Sequence, residues 1–269
     1  MIFRAIIEKR TKKSEADMII HSFLLIGQSN AAGRGFLSEA QPIECENIMV
    51  LRNGRWQPFY RPLNNDRSFS GVSLIESFAE KYSKEHKVKV GIIPCADGGT
   101  RLDQWEQGTL LYDNALYQTR LAQRTSTVAG ILWHQGESDC RSDLWRTYEE
   151  RLIDFFAKFK KDAGLEGVPT LIGALGDYLK SYTNSPEIME NYTKINDALR
   201  SAAAKMERTA FVSDNNLPCN PDILHFSAKG LYEFGLRYYD AFLTIEDKDR
   251  VFPDMPDMDF ATRGEMEKL

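Results

Sequence analysis

The feature that most limits the fold is an alternation. Apolar, β-branched runs take turns with helical patterns along most of the 269 residues. The runs are 19–26, 88–94, 128–133, 170–175 and 209–212, and the helical stretches are 72–86, 112–125, 144–162, 186–207 and 227–244. Such repetition is the signature of βαβ units, whose parallel sheet is covered on both faces. The expected class is therefore α/β: a three-layer αβα sandwich of about five parallel strands with right-handed crossovers. Apolar residues make up 42% and charged residues 27%, so a chain of this length can bury a core without disulfides or metals.

Local signals support the helices. Leu144, Tyr148, Leu152, Phe155, Phe156 and Phe159 recur at helical spacing, Gly164 suits the exit and Pro169 bars continuation. Pro186 fits a first helical position behind Ser185, and Ser227 fits a cap for the last helix. Residues 31–70 differ. They are rich in Gly and Pro and carry Trp56, Phe59, Tyr60 and Phe69, so a long irregular connection over the first strand end is expected.

The expected organisation is one domain over 18–245, an N-terminal extension over 1–17 and a C-terminal tail over 246–269. Three readings of the tail stand open, a segment lying across the surface, a contact with a partner subunit or a partly frayed end, and the second leaves a homo-oligomer open. Met18 could be the translation start. The run from Met18 to Ile26 is short and contains His21, so it reads as a buried strand and no membrane partner is expected. The first residues contain no continuous apolar stretch typical of a leader, so a cytoplasmic protein is the default expectation. A net charge of −5 argues against a nucleic-acid partner. The four cysteines, at 45, 95, 140 and 219, form no C-x-x-C pair and read as free thiols. No metal site and no cofactor are expected.

In an open parallel sheet, ligands bind beyond the carboxyl ends of the strands. Four such ends carry reactive or polar groups: Gln28-Ser29-Asn30, Asp97-Gly98-Gly99-Thr100, His134-Gln135-Gly136-Glu137-Ser138 and Asp222-Ile223-Leu224-His225. A hydroxyl, an imidazole and an acid three residues from it are the parts of a serine-hydrolase triad. Gly98-Gly99 gives a carbonyl oxygen access to a main-chain N–H, and Gln135 can offer amide donors to the same oxygen. Singly, each feature reads as a cap, a turn or a surface group; together at one sheet edge they favour catalysis. Glu137 is an alternative or supporting acid to Asp222, and His134 could support the site or touch substrate.

These blocks resemble those of the SGNH hydrolases, and within them the carbohydrate esterases of the acetylxylan esterase and sialate O-acetylesterase type. Gly27-Gln28-Ser29-Asn30, Gly98-Gly99-Thr100 with Trp105, His134 to Ser138, and Asp222 to His225 carry the resemblance, over about Ile19 to Phe242. It implies a flavodoxin-like sandwich, with Ser29 as nucleophile, His225 as base and Asp222 as its partner. It also implies an oxyanion hole of Ser29, Gly99 and the Gln135 side chain. The implied substrate is an acetylated mono- or oligosaccharide, cleaved through an acetyl-serine without cofactor. Gln28, Asn30, Arg34, Arg101, Trp105 and His134 are candidate substrate contacts, and Trp56, Tyr60 and Trp105 candidate stacking surfaces. A lipase or thioesterase, and a silent sugar-binding protein, are the alternatives. A base at His225 implies activity falling below about pH 6.5.

Overall fold

A computed structural model describes residues 20–246. The expected extension over 1–17 and all but the first residue of the expected tail over 246–269 lie outside the described residues.

The five expected strands form: β1 (Ile20–Gly27), β4 (Lys89–Pro94), β5 (Thr127–His134), β6 (Thr170–Gly173) and β7 (Thr209–Val212). Two more join them, β2 (Ile48–Arg52) and β3 (Arg55–Pro58). The sheet order is β3-β2-β4-β1-β5-β6-β7, parallel throughout except for the β2–β3 pair. The five expected strands thus follow the flavodoxin-like order 2-1-3-4-5, with a hairpin added beside β4.

That hairpin corrects the expectation that 31–70 is irregular throughout. Its turn is Asn53-Gly54, with φ of +50° and +74°. Two residues with positive φ make the turn that matches the twist of paired strands, and Asn-Gly is the sequence best suited to it.

Helices α2 (Ile75–His86) and α6 (Ala228–Ile245) pack on one face of the sheet with Phe23, Leu25 and Leu132. Helices α3 (Leu110–Ala122), α4 (Tyr148–Ala163) and α5 (Pro186–Lys205) cover the other with Leu24, Ile26 and Trp133. Successive β1 residues thus face opposite layers and all but the first, Ile20, are buried, as a central parallel strand requires. The phenylalanines 155, 156 and 159 of α4 are at most 1% exposed, each stabilising the layer by roughly 2–3 kcal/mol. Gly164 ends α4 in the left-handed region, at φ +66°. Ser227 caps α6 by accepting from the Gly230 N–H at 3.1 Å. Ser185 precedes α5 without a side-chain cap bond, and Pro186 takes the first helical position.

The chain leaves β1 for the β2–β4 side and later returns to β5 on the other, so β1 lies at the topological switch point. The crevice beyond its carboxyl end is where such sheets bind ligands. No described helix is long and apolar enough to cross a membrane. All four cysteines are free, and burial pushes the Cys95 thiol up to about 12. Among the described residues no cluster of His, Cys, Asp and Glu is arranged to hold a metal ion.

Candidate active site

Ser29 opens the short helix α1 (Ser29–Ala32) directly after β1. The abrupt exit depends on Gly27, whose φ is +125° and where a Cβ would lie 2.1 Å from the His134 carbonyl oxygen. Only glycine fits both demands.

His225 arrives on a tight loop before α6. The Asn220 N–H donates to the His225 carbonyl at 2.7 Å, and the Ile223 N–H to the Asn220 carbonyl at 3.0 Å. Ile223 holds φ +57°, a left-handed conformation that a β-branched residue rarely adopts. The turn brings the Asp222 carboxylate beneath the imidazole: Oδ1 accepts from the Leu224 and His225 N–H groups at 2.9 and 3.0 Å, and Oδ2 lies 2.7 Å from His225 Nδ1. On the other side of the ring, Nε2 is 3.0 Å from Ser29 Oγ. Burial pushes the Asp222 carboxyl up, but the hydrogen bonds from His225 and the two backbone N–H groups outweigh it and hold it below its ordinary value. The acid beside the imidazole is thus kept ionised.

Glu137 meets Asn30, not His225. Its Oε1 accepts from Asn30 Nδ2 at 2.7 Å, while Asn30 Oδ1 accepts from the Phe226 N–H at 3.0 Å. Asn30, fully buried, is a clamp between the serine helix and the histidine loop, which removes it from the expected substrate contacts.

The amides also differ from expectation. Gln135 is fully buried, and its Nε2 donates to Asp139 Oδ2 at 2.6 Å, the Thr100 carbonyl at 3.0 Å and Gln28 Oε1 at 3.2 Å. Its Oε1 accepts from the Tyr148 hydroxyl at 2.7 Å. With its donors engaged, Gln135 does not reach the pocket and cannot serve an oxyanion there. Gln28 does line the pocket. Its Oε1 accepts from Gln135 Nε2 and from the Gly136 and Ser138 N–H groups, both at 3.3 Å, which fixes which end of the amide is oxygen. The remaining NH₂ is the side-chain donor left for the pocket. The Ser29 and Gly99 N–H groups find no acceptor among the described residues, and both residues line the same pocket. The Gly98 N–H is engaged by Asp66 Oδ2 at 2.9 Å.

Other expected contacts lie elsewhere. Trp105 is fully buried, donates to Thr100 Oγ1 at 3.1 Å and packs on Trp133. His134 is fully buried, with Nε2 on the Ala174 carbonyl at 2.9 Å and its ring against Phe226 and Phe234. Arg101 pairs with Asp103 at 2.8 Å outside the pocket. Trp56 is buried beneath the edge hairpin, and Tyr60 is exposed but away from the pocket wall. Arg34 reaches the wall with its charge already matched: Asp66 takes it at 2.6 Å and 3.3 Å, and it donates to the Gly33 carbonyl at 2.7 Å.

The pocket measures about 360 Å³. Three of its lining residues escaped the sequence reading, Arg67, Arg141 and Ile188, and Phe69 was read only as part of the connection over 31–70. Phe69 is 67% exposed, with the Arg34 guanidinium 5.2 Å from its ring centre. An exposed aromatic in a long connection over a strand end was the available signal. The segment 31–70 does supply part of the wall, through Arg34, Arg67 and Phe69.

A family model described as carbohydrate esterase, sialic acid-specific acetylesterase, matches residues 20–244. The "Probable carbohydrate esterase At4g34215" of Arabidopsis thaliana is 26% identical over 252 residues, covering 82% of this chain and 90% of that protein. Among solved structures, the same Arabidopsis protein superposes with TM-score 0.73 at 24% identity, covering 84% of this chain and 99% of that one. NanS superposes with TM-score 0.66 at 17% identity over 85% of this chain and 98% of its own. XAC1771, a carbohydrate acetylesterase from Xanthomonas citri, gives 0.63 at 16% identity over 84% of this chain and 56% of its own. At these identities the superpositions speak for the fold.

Proposed function

The chain belongs to the carbohydrate esterase family of sialic acid-specific acetylesterases, and from that premise we propose that it removes O-acetyl groups from a sugar through an acetyl-serine, with Ser29 as nucleophile, His225 as base and Asp222 as its partner. One observation carries the reading: Ser29 Oγ lies 3.0 Å from His225 Nε2, and the opposite ring nitrogen lies 2.7 Å from an ionised carboxylate. That is within proton-transfer reach.

In this mechanism Ser29 Oγ attacks the acetyl carbonyl and its proton passes to His225 Nε2. Asp222 holds the ring with Nδ1 protonated and balances the imidazolium. The carbonyl oxygen, now negative, is met by the Ser29 and Gly99 N–H groups and the Gln28 amide, donors that need no rearrangement. The imidazolium returns its proton to the departing sugar oxygen. Water then attacks the acetyl-serine by the same route, releasing acetate. Glu137 acts through Asn30, keeping the serine helix and the histidine loop in register. The esterase domain is proposed to span 18–245.

The wall favours a short acyl group on a polar substrate over a long acyl chain. Arg67, Glu137, Ser138 and Arg141 interrupt the apolar surface that a fatty chain needs. Acetate release from acetylated xylo-oligosaccharides, sialic acids and hexoses tests the proposal, alongside acetyl and octanoyl nitrophenyl esters. Fluorophosphonate labelling of the wild type but not of Ser29→Ala is expected. Preference for octanoyl esters contradicts the acetyl specificity, and labelling that survives Ser29→Ala contradicts the nucleophile.

A further inference from the structure

Beside the Ser29 pocket lies a second hollow of about 480 Å³. Arg67, Gly98 and Gly99 line both, so the glycine block is a shared wall. That wall is low: Gly99 has φ +79°, and a Cβ there would meet nothing within 4 Å. The far side is built by Asp97, Asp103 and Gln104 and by Thr109, Leu110 and Leu111 at the start of α3.

The chemistry of this lining is specific. Leu110 is 82% exposed, and Tyr117, two turns along the same face of α3, is 61% exposed. The Leu110 side chain is therefore held by little protein packing and offers an aliphatic surface. Around it stand hydrogen-bonding groups. The hydrogen bond from Arg101 holds the Asp103 carboxyl below its ordinary value, and Asp97 pairs with Arg67 at 3.2 Å. Gln104 uses its Oε1 on the Arg101 N–H at 2.9 Å, which leaves its NH₂ free to donate. Acceptors and a donor around a small aliphatic patch suit the hydroxyls and C–H face of a sugar ring. A long acyl chain would require continuous apolar lining, and an anionic sugar would find the lining arginine, Arg67, already matched by Asp97.

We propose that this hollow binds the neutral sugar units next to the acetylated one, so that the preferred substrate is an acetylated oligosaccharide and not a free acetylated monosaccharide. The inference rests on the esterase reading of the Ser29 pocket. With the acetyl carbonyl at Ser29, the neighbouring unit crosses the low glycine wall and reaches Leu110.

The test measures kcat/KM for acetate release from p-nitrophenyl acetate, acetylated methyl xyloside, and acetylated xylo- and manno-oligosaccharides. Wild type is compared with Leu110→Asp. Leu110 is exposed and begins a helix, where an acid is favourable, so this variant keeps the fold. The wild type should gain about tenfold from monosaccharide to oligosaccharide, the scale of a well-matched binding contact. Leu110→Asp should lose that gain while hydrolysing p-nitrophenyl acetate at the wild-type rate. Equal values for short and long substrates, or a length gain that survives Leu110→Asp, overturn the proposal. Wild type inactive on every acetyl ester instead overturns the esterase reading, and the inference with it.

Discussion

At the scale of single residues the account separates groups that look alike in the sequence. Gln28 and Gln135 both follow strand ends, but only Gln28 lines the pocket. Gln28→Ala should lower kcat about 10²–10³-fold with little change in KM, the loss typical of one oxyanion donor, whereas an unchanged kcat removes Gln28 from that role. Asp222 and Glu137 separate in the same way. Asp222→Asn should lower kcat about 10⁴-fold, and Glu137→Gln much less, because its partner is Asn30. The pH profile carries a sign. The folded carboxyl of Asp222 is held below its ordinary value, so its support of the imidazole persists above the ordinary carboxylate range and is lost only as pH falls through the lowered value. The profile should therefore show no limb from Asp222 in the ordinary carboxylate range; a limb near pH 4–5, about where ordinary carboxylates titrate, contradicts this.

At the scale of elements, the strand-to-helix turn after β1 positions the serine. Gly27→Ala should destabilise the fold and abolish activity together, since the new methyl would collide with the His134 backbone at 2.1 Å. A Gly27→Ala protein with wild-type melting and turnover would show that the turn tolerates another conformation. The elements differed in how plainly the sequence displayed them. Strands β1, β4 and β5 are mostly apolar runs, because both faces of a central parallel strand are buried, and they put Gln28 and Ser29 after β1, Gly99 after β4 and Glu137 after β5 at one edge. The β2–β3 hairpin was hidden by the Gly and Pro content of 31–70, although Asn53-Gly54 marked its turn. The oxyanion amide was legible only as a pair of glutamines. Which one faces the pocket depends on Asp139 and Tyr148, and their contacts with Gln135 belong to packing, which spacing along a chain does not encode. His134 ends β5 with its ring turned inward, which fits the supporting one of its two readings, and Trp105, closing the helical turn Leu102–Trp105, packs inward on Trp133.

At the scale of the whole molecule, the buried carboxylates shape stability against pH. Burial raises the carboxyls of Glu76, Asp139 and Asp214 above their ordinary values. Their contributions are fully present below the unfolded value and are lost as pH rises through the folded one. Asp66 has the opposite sign: burial raises it, but Arg34, Ser70 and the Gly98 N–H outweigh this, so its contribution is lost as pH falls through a lowered value. The melting temperature should thus hold or rise from neutral pH to about pH 5 and fall only below about pH 4. A steady decline from pH 7 downward in calorimetry contradicts this balance. The same sheet that buries these acids gathers four distant segments at its switch point, and the claim that they act as one esterase site is open to direct trial. Acid-quenched enzyme turning over an acetyl ester, digested and weighed by mass spectrometry, should carry an acetyl group on the peptide containing Ser29. Acetate released at the wild-type rate by Ser29→Ala, with no acetylated peptide from either protein, would contradict the account.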